Sequence, residues 1–588
     1  MSNKTGKAFD LKIFVRLMSF AKKYRTRFII ATFSTILLAG FSVASPVVLM
    51  TAIDDFVALK DPIRLLYFTI VMITILMMQV VLQFTFIYYA NWVGQHIIKD
   101  IRDKTFRKIL EFKMKYFDNS SVGKLVTRVV SDVETISNFF TQGVFMIVSD
   151  ILLMLIVIVV MFFTNWKLAL IALATLPILI YATKIFQKAI KSTFQDVRNQ
   201  VANLNSFVQE RVTGMKIVQL FNREKIEHQN FININDKHTK AHVKTVWYYS
   251  IFFPIAEILS SIAIGLIVWY GGLQVIDDKA VSIGAIIGFI KMAQMLFRPL
   301  RQIADKFNQL QMGIVAGERV FDVIDTEDSI DKSGTITADN LQGNISFKNV
   351  RFSYIKEEEI LKGVSFDVKK GQTIAIVGAT GAGKSTIINL ISRFYEIDSG
   401  VITVDGVPVE NYDVTFLREK IAVVLQDVFL FSDTILNNIT LQKESIAIDD
   451  VKKAAKQIGI HDFIMSLPGN YHYNVKERGG MLSSGQRQLI SFLRAYFSKP
   501  SILILDEATS SVDSHSEQMI QYATDTITKN RTSIIIAHRL ATIKKADVII
   551  VMDKGQIVEK GNHAELLQKK EGYYKNLYEK QFSDEKPL

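Results

Sequence analysis

Six apolar segments in the first half of the chain constrain its folding more than any other feature. They run over 28–53, 65–90, 144–163, 168–183, 246–270 and 283–297. A membrane-crossing helix needs about 20 apolar residues, so the fourth and sixth segments are marginal as read from sequence. The segments fall into three close pairs. Links within a pair are short (54–64, 164–167 and 271–282), whereas the links between pairs, 92–143 and 184–245, are long and dense in Lys and Arg. Basic residues stay on the cytoplasmic side, which places both long links and everything after the sixth segment there, with the short links outside.

The long links are poor in Gly and Pro, and apolar residues such as Ile98, Ile101, Phe106 and Ile109 recur at helical spacing. Each span is therefore expected to continue as a helix below the bilayer. Breaks near 116–123 and 213–221 would form short tips projecting toward a cytoplasmic domain. The first ten residues are polar, and no cleavable signal peptide is expected. Residues 11–27 combine Leu11, Phe14, Val15 and Met18 with Lys12, Arg16, Lys22, Lys23, Arg25 and Arg27, as suits a helix lying on a membrane surface. Three ionisable groups fall within spans: Asp150, Glu257 and Lys291. Such charges are costly in lipid. Two readings stand: pairing with each other or with polar neighbours such as Gln79 or Gln83, or, for Glu257 and Lys291, lining a translocation path.

The net charge of +12 lies mostly between spans, which argues against a nucleic-acid partner. With no cysteine in the chain, disulfides, thiolate zinc sites and thiol catalysis are excluded.

Residues 326–342 read as a polar linker, and a soluble α/β composition follows. Within it, Thr373–Val377 is a β-branched run followed by Gly378-Ala379-Thr380-Gly381-Ala382-Gly383-Lys384-Ser385, a complete phosphate loop that opens a helix at Thr386. Glycines let successive backbone N–H groups of this stretch converge on one anion. Lys384 adds a charge for the β- and γ-phosphates, and the Ser385 hydroxyl suits Mg²⁺. Downstream, Ser501–Asp506 is an apolar strand ending in a carboxylate, with Asp506 the expected Mg²⁺ partner and Glu507 placed to orient and polarise an attacking water. Two further strands deliver Gln426, within reach of Mg²⁺ or that water, and His538, within reach of the γ-phosphate. Tyr354, upstream of the loop, is a candidate to stack on adenine.

Leu482-Ser483-Ser484-Gly485-Gln486 resembles the LSGGQ signature of ATP-binding cassette proteins. Six spans fused ahead of a cassette are similar to a half-transporter of the bacterial multidrug or lipid exporter type, with the type IV fold. The resemblance extends to Phe117-Asp118…Gly123…Leu125…Arg128…Asp132 and Glu210…Gly214…Ile217-Val218…Phe221 (the two intracellular loops), and to Glu477-Arg478-Gly479 before the signature. It continues through Ser510-Ser511-Val512-Asp513 at the D-loop and Gly572-Tyr573…Leu577…Gln581 near the C-terminus. Ser484 stands where the family has glycine, and Ser511-Val512 where it has Ala-Leu.

The implied architecture is a six-span α-helical membrane domain fused to a soluble α/β P-loop nucleotide-binding domain. Its parts are an interfacial segment at 1–27, the membrane domain at 28–325, the linker at 326–342 and the cassette at 343–588. The resemblance also implies a dimer, homodimeric or with a related half-transporter. In it ATP and Mg²⁺ sit between one phosphate loop and the Ser483–Gln486 and Asp513 elements of the other copy. The expected activity is ATP-driven export of hydrophobic or amphipathic compounds by alternating access, from a bacterial inner membrane with both termini cytoplasmic. A lipid flippase of the same fold, or an ATP-regulated channel or sensor, is the alternative.

Overall fold

The structure, a computed structural model, describes residues 10–57, 62–276, 281–338, 340–506, 514–537, 540–569 and 571–582. The chain divides into two compact units, Met1–Leu110 with Ser121–Glu327, and Glu111–Ser120 with Asp328–Leu588.

The first unit is all helix. In chain order its elements are α1 (Leu11–Ala21), α2 (Arg25–Thr51) and α3 (Pro62–Leu110), then, after the excursion of α4 (Met114–Asp118) into the second unit, α5 (Val122–Thr127), α6 (Val133–Asn138) and α7 (Met146–Thr164). There follow α8 (Trp166–Leu173), α9 (Leu176–Thr213), α10 (Met215–Leu220), α11 (Glu224–Ile276) and α12 (Ile283–Asp325). Wider helical turns at Arg128–Asp132 and Phe139–Phe145 join α5, α6 and α7 into one rod. Among the described residues, six helical runs of 43 to 53 residues are long and apolar enough to cross a membrane. The fourth and sixth, short as apolar segments, belong to rods of 48 and 43 residues. Their polar halves are helical because little Gly or Pro interrupts them and their inward faces pack on neighbours. At the breaks, α3 stops at Leu110 and α9 at Thr213, and the two short helices α4 and α10 form the turns.

The sixth rod, α12, is the hub. Just over half (56%) of its most apolar window is buried, against none of α3's, so α12 runs inside the bundle while the most apolar stretch of α3 lies along its outside. Phe289, Met292, Leu296 and Phe297 of α12 pack with Val157 and Met161 of α7, Leu168 of α8 and Ile267 of α11. Further along, Val320 and Phe321 close a second core with Leu17 of α1, Ile97 and Ile101 of α3, and Phe139 and Phe140. Asp54, beyond α2, accepts hydrogen bonds from the Ser282 hydroxyl and the Gly284 amide (2.8 Å for the latter) and caps the N-terminus of α12.

Two of the three charges within spans have found cations on α12. Asp150 pairs with Lys306 and Glu257 with Arg301. Gln79 donates to the Phe41 carbonyl at 2.8 Å instead. Lys291 meets no carboxylate among the described residues.

The second unit carries two sheets. The smaller is antiparallel, in the order β2 (Glu358–Val368), β1 (Ile345–Ile355), β4 (Ser399–Val404) and β5 (Val407–Pro408). The larger orders β10 (Gln556–Gly561), β9 (Val548–Asp553), β3 (Thr373–Gly378), β8 (Thr532–Ile536), β7 (Ile502–Asp506) and β6 (Ile421–Val424). From β9 to β6 all neighbours are parallel and their side chains are almost wholly buried, as expected of a sheet covered on both faces. The polar stretch before β1 is docked rather than free. Ile336 exchanges backbone hydrogen bonds with the 411–413 turn, and Asp331 pairs with Arg393 at 3.1 Å. Residues 111–120 are held in this unit by a bridge between Phe112 and Ser329 and by Lys113–Glu396 at 2.9 Å. The Tyr395 hydroxyl also donates to Asp118 at 2.6 Å.

Because both ends of the Asp150–Lys306 pair are largely buried, Lys306→Met strands a carboxylate. The variant is expected to lose about 2 kcal/mol, and Asp150→Asn combined with Lys306→Met to recover most of it. Thermal unfolding in detergent checks this; a double variant no more stable than Lys306→Met would contradict it.

Candidate nucleotide site

The site is laid out by strand ends. Ile376 of β3 lies beside Ile536 of β8, which lies beside Asp506 of β7, and Leu505 lies beside Val424 of β6. Parallel strands in register end at one level, so Gly378, Asp506 and Gln426 meet the same edge of the sheet, where ligands of such sheets sit. Glu507, His538 and Asp513 lie outside the described residues.

At that edge β3 turns sharply into the helix Lys384–Ile391. Gly378 has φ 153°, and a Cβ there would stand 2.2 Å from the Met552 carbonyl oxygen of β9. Gly383, at the N-cap, is left-handed at φ 95°. Only glycine takes these shapes without strain. The turn through Thr380, Gly381 and Ala382, closed by the Ala382 amide donating to the Ala379 carbonyl at 3.2 Å, therefore leads directly into a helix N-terminus, an end that favours an anion. Lys384 is buried and folds back over the loop, its Nζ donating to the carbonyls of Gly378 (2.7 Å) and Ala379 (3.0 Å). The Ser385 hydroxyl stands 3.5 Å from an Asp506 carboxylate oxygen. Two hard oxygens beside an anion cradle match what Mg²⁺ takes when phosphates fill its other positions, so the donor set fits.

Tyr354 comes from β1. Its hydroxyl accepts from Asn389 at 3.0 Å and donates to Thr386 at 3.4 Å, while its ring meets Phe352 and Tyr395 edge-on, with centroids 4.8 and 5.0 Å away. The same Tyr395 holds Asp118, so the aromatic group next to the phosphate loop also grips α4. Burial, reinforced by Asp118, raises the Tyr395 phenol well above its ordinary value. Sequence reasoning missed Tyr395, since nothing in a single chain marks one aromatic after a helix as the partner of a residue far upstream.

Gln426 is exposed just past β6, and the loop it starts is pinned by another residue with no sequence signal. Buried Asn438 accepts from the Phe431 amide (2.8 Å) and donates to the Phe431 and Thr434 carbonyls (both 3.0 Å). Arg494 ties this loop to the helix Ser484–Phe497, donating to the Asn438 carbonyl at 2.9 Å. The start of that helix is the signature. Ser483 and Gln486 form a capping box: the Ser483 hydroxyl takes the Gln486 amide, and the Gln486 side chain takes the Ser483 amide. Ser484 and Gly485 are in the first helical turn, and Ser484 keeps a negative φ. The serine in place of glycine therefore costs the backbone nothing. Before the signature, Lys476 (φ 59°, ψ −169°) and Arg478 (φ 53°) take conformations rare for side-chain-bearing residues, a pattern common at functional segments.

Burial lowers the pKa of Lys384 from 10.5, with nearby Asp506 acting against the shift. Between the lowered value and 10.5 the unfolded chain binds more proton, so this lysine makes the fold more stable as pH rises there. Phosphate binding needs the charged form and weakens across the same window. Nucleotide affinity should thus fall on the alkaline side before an ordinary lysine would titrate. In Lys384→Ala it should be about tenfold or more weaker and flat with pH, read by equilibrium binding of a fluorescent nucleotide. Equal slopes in the two proteins would contradict this.

Residues 28–300 match the ABC transporter transmembrane region, and residues 361–510 match the ABC transporter family proper. An uncharacterized ABC transporter ATP-binding protein of Bacillus subtilis, YknV, is 34% identical over 98% of this chain and 96% of its own length. The ATP-dependent lipid A-core flippase of Syntrophus aciditrophicus is 32% identical over 98% and 96%. A B. subtilis protein named for multidrug export, YgaD, is 33% identical over 96% and 98%. Among solved structures, a bacterial Atm1-family ABC exporter with ATP bound superposes with a TM-score of 0.78 at 26% identity, covering 95% of this chain and 98% of that one. With a multi-pass helical unit, a phosphate loop at the edge of a parallel sheet and full-length relatives at this identity, the chain belongs to the ABC transporters, whose cassettes hydrolyse ATP to drive movement across a membrane.

Proposed function

We propose that this chain is one half of an exporter for hydrophobic or amphipathic compounds and works as a dimer in a bacterial plasma membrane, with cassette and termini in the cytoplasm. The observation that carries the reading is the placement of residues 111–120. This segment leaves one membrane rod, packs in the cassette's own unit through Lys113–Glu396 and Asp118–Tyr395, and returns to the next rod. Any shift of the cassette must pull on the two rods it joins. The exposed apolar tip at α10, with Ile217, Leu220 and Phe221, offers a second such handle.

In this reading the turn from Gly378 to Thr386 cradles the phosphates of ATP, Lys384 exchanges its backbone partners for phosphate oxygens, and Tyr354 faces the adenine. Ser385, Asp506 and Gln426 would hold Mg²⁺, which supplies charge neutralisation when bound. Glu507 orients the water and accepts its proton, and His538 contacts the γ-phosphate. Ser483, Ser484, Gly485 and Gln486 of one copy, with Asp513, close over the nucleotide of the other, since a helix N-terminus favours anions. ATP then stabilises the closed pair, and hydrolysis removes that preference. Lipid flipping is a second reading, favoured by the full-length likeness to lipid A-core flippases.

Reconstituted into liposomes, the protein is expected to move an amphipathic dye or a fluorescent phospholipid only with ATP, and the preferred cargo separates the two readings. Tyr395→Phe removes one hydrogen bond to α4 while keeping the ring. It should retain most hydrolysis and lose about fivefold in transport per ATP, the equivalent of one hydrogen bond. ATP hydrolysis with neither cargo moving would contradict the exporter reading.

A further inference from the structure

The first unit contains a cavity of about 490 Å³ between α6, α9 and α12, large enough for a headgroup and part of an apolar chain. It lies just beyond the apolar segments: its α9 residues start at Gln187 and its α12 residues at Asp305, whereas the segments end at 183 and 297. On α9, Lys191, Phe194 and Arg198 stand at helical spacing and share one face. Phe307, Met312 and Val315 of α12 supply apolar wall opposite.

The charges of this cavity are unbalanced. Arg319 is satisfied, donating to Asp132 at 2.6 Å, and Asp305 accepts from the Tyr249 hydroxyl at 3.2 Å. Lys191 and Arg198 meet no carboxylate among the described residues, and the Arg198 guanidinium donates to the Met312 sulfur at 3.5 Å. Two cations flanking an aromatic ring, with apolar surface across the gap, match an amphiphile that carries an acidic headgroup. We infer that this cavity binds such a compound, a phosphate or carboxylate on an apolar tail, with Lys191 and Arg198 holding the headgroup. The inference rests on the exporter reading, which puts this depth at the cytoplasmic headgroup layer.

Native mass spectrometry of the full-length protein in a neutral maltoside tests it, with phosphatidic acid, phosphatidylcholine, dodecyl phosphate, dodecyltrimethylammonium and inorganic phosphate as probes. An acidic amphiphile should bind at least about tenfold tighter than its neutral or cationic counterpart, since each charge-assisted hydrogen bond is worth about a decade. Lys191→Gln with Arg198→Gln should erase the preference. Lys191→Glu with Arg198→Glu should turn it toward dodecyltrimethylammonium, a reversal that misfolding does not produce. Dodecyl phosphate binding alone supports a water-soluble amphiphile, and phosphatidic acid binding alone a membrane lipid. Equal affinity for all headgroups overturns the inference, as does an anion preference surviving charge reversal. So does inorganic phosphate binding as tightly as dodecyl phosphate. If the liposomes still pump cargo, such a result leaves the exporter reading standing; if they do not, that reading fails separately.

Discussion

Four parallel strands ending at one level are the constraint on which the cassette depends. β3, β8, β7 and β6 are locked in register by backbone hydrogen bonds and buried on both faces, so their C-terminal ends cannot slide relative to one another. The phosphate loop, Asp506 and Gln426 inherit their spacing from that register. The geometry of the proposed nucleotide site is therefore set by the hydrogen-bonded, buried sheet, and the loops that leave it need only short supports. Asn438 and Arg494 support the Gln426 loop, and the Ser483–Gln486 capping box supports the signature.

The membrane unit answers a different constraint. In lipid, every backbone group must be satisfied within its own segment, so the spans are helices, and once begun they continue until something stops them. Here the stops are far from the apolar segments, at Leu110 and Thr213, so that the rods carry α4 and α10 at their ends. Central α12 gathers the carboxylates of α7 and α11 onto its own Lys306 and Arg301, binding the bundle through charges that single spans could not tolerate alone.

The phosphate loop, the six spans, both helix breaks and the strand–carboxylate pattern were legible because each depends on local periodicity or on a short motif with a fixed geometry. What stayed hidden depends on which surfaces meet. The run 326–342 reads as a linker by composition, yet Asp331 and Ile336 tie it to the cassette. Asp150 and Glu257 reveal their cost in sequence but not their partners, which lie 156 and 44 residues along the chain. Ser484 appears as a departure from a glycine signature, and only its helical backbone shows that no left-handed turn is required there. Tyr395 had no local signal at all: its importance lies in touching Tyr354 and Asp118 at once.

A nucleotide held between two copies is the center of the functional account, and cysteine cross-linking addresses it directly. The chain has no cysteine, so thiols introduced by Thr380→Cys and Ser484→Cys are the only ones present. Pairing of one copy's phosphate loop with the other's signature predicts a covalent dimer under oxidation in the double variant and in a mixture of the two single variants, and none from either single variant alone. A double variant that remains monomeric on a denaturing gel, or a single variant that cross-links as efficiently, would contradict it.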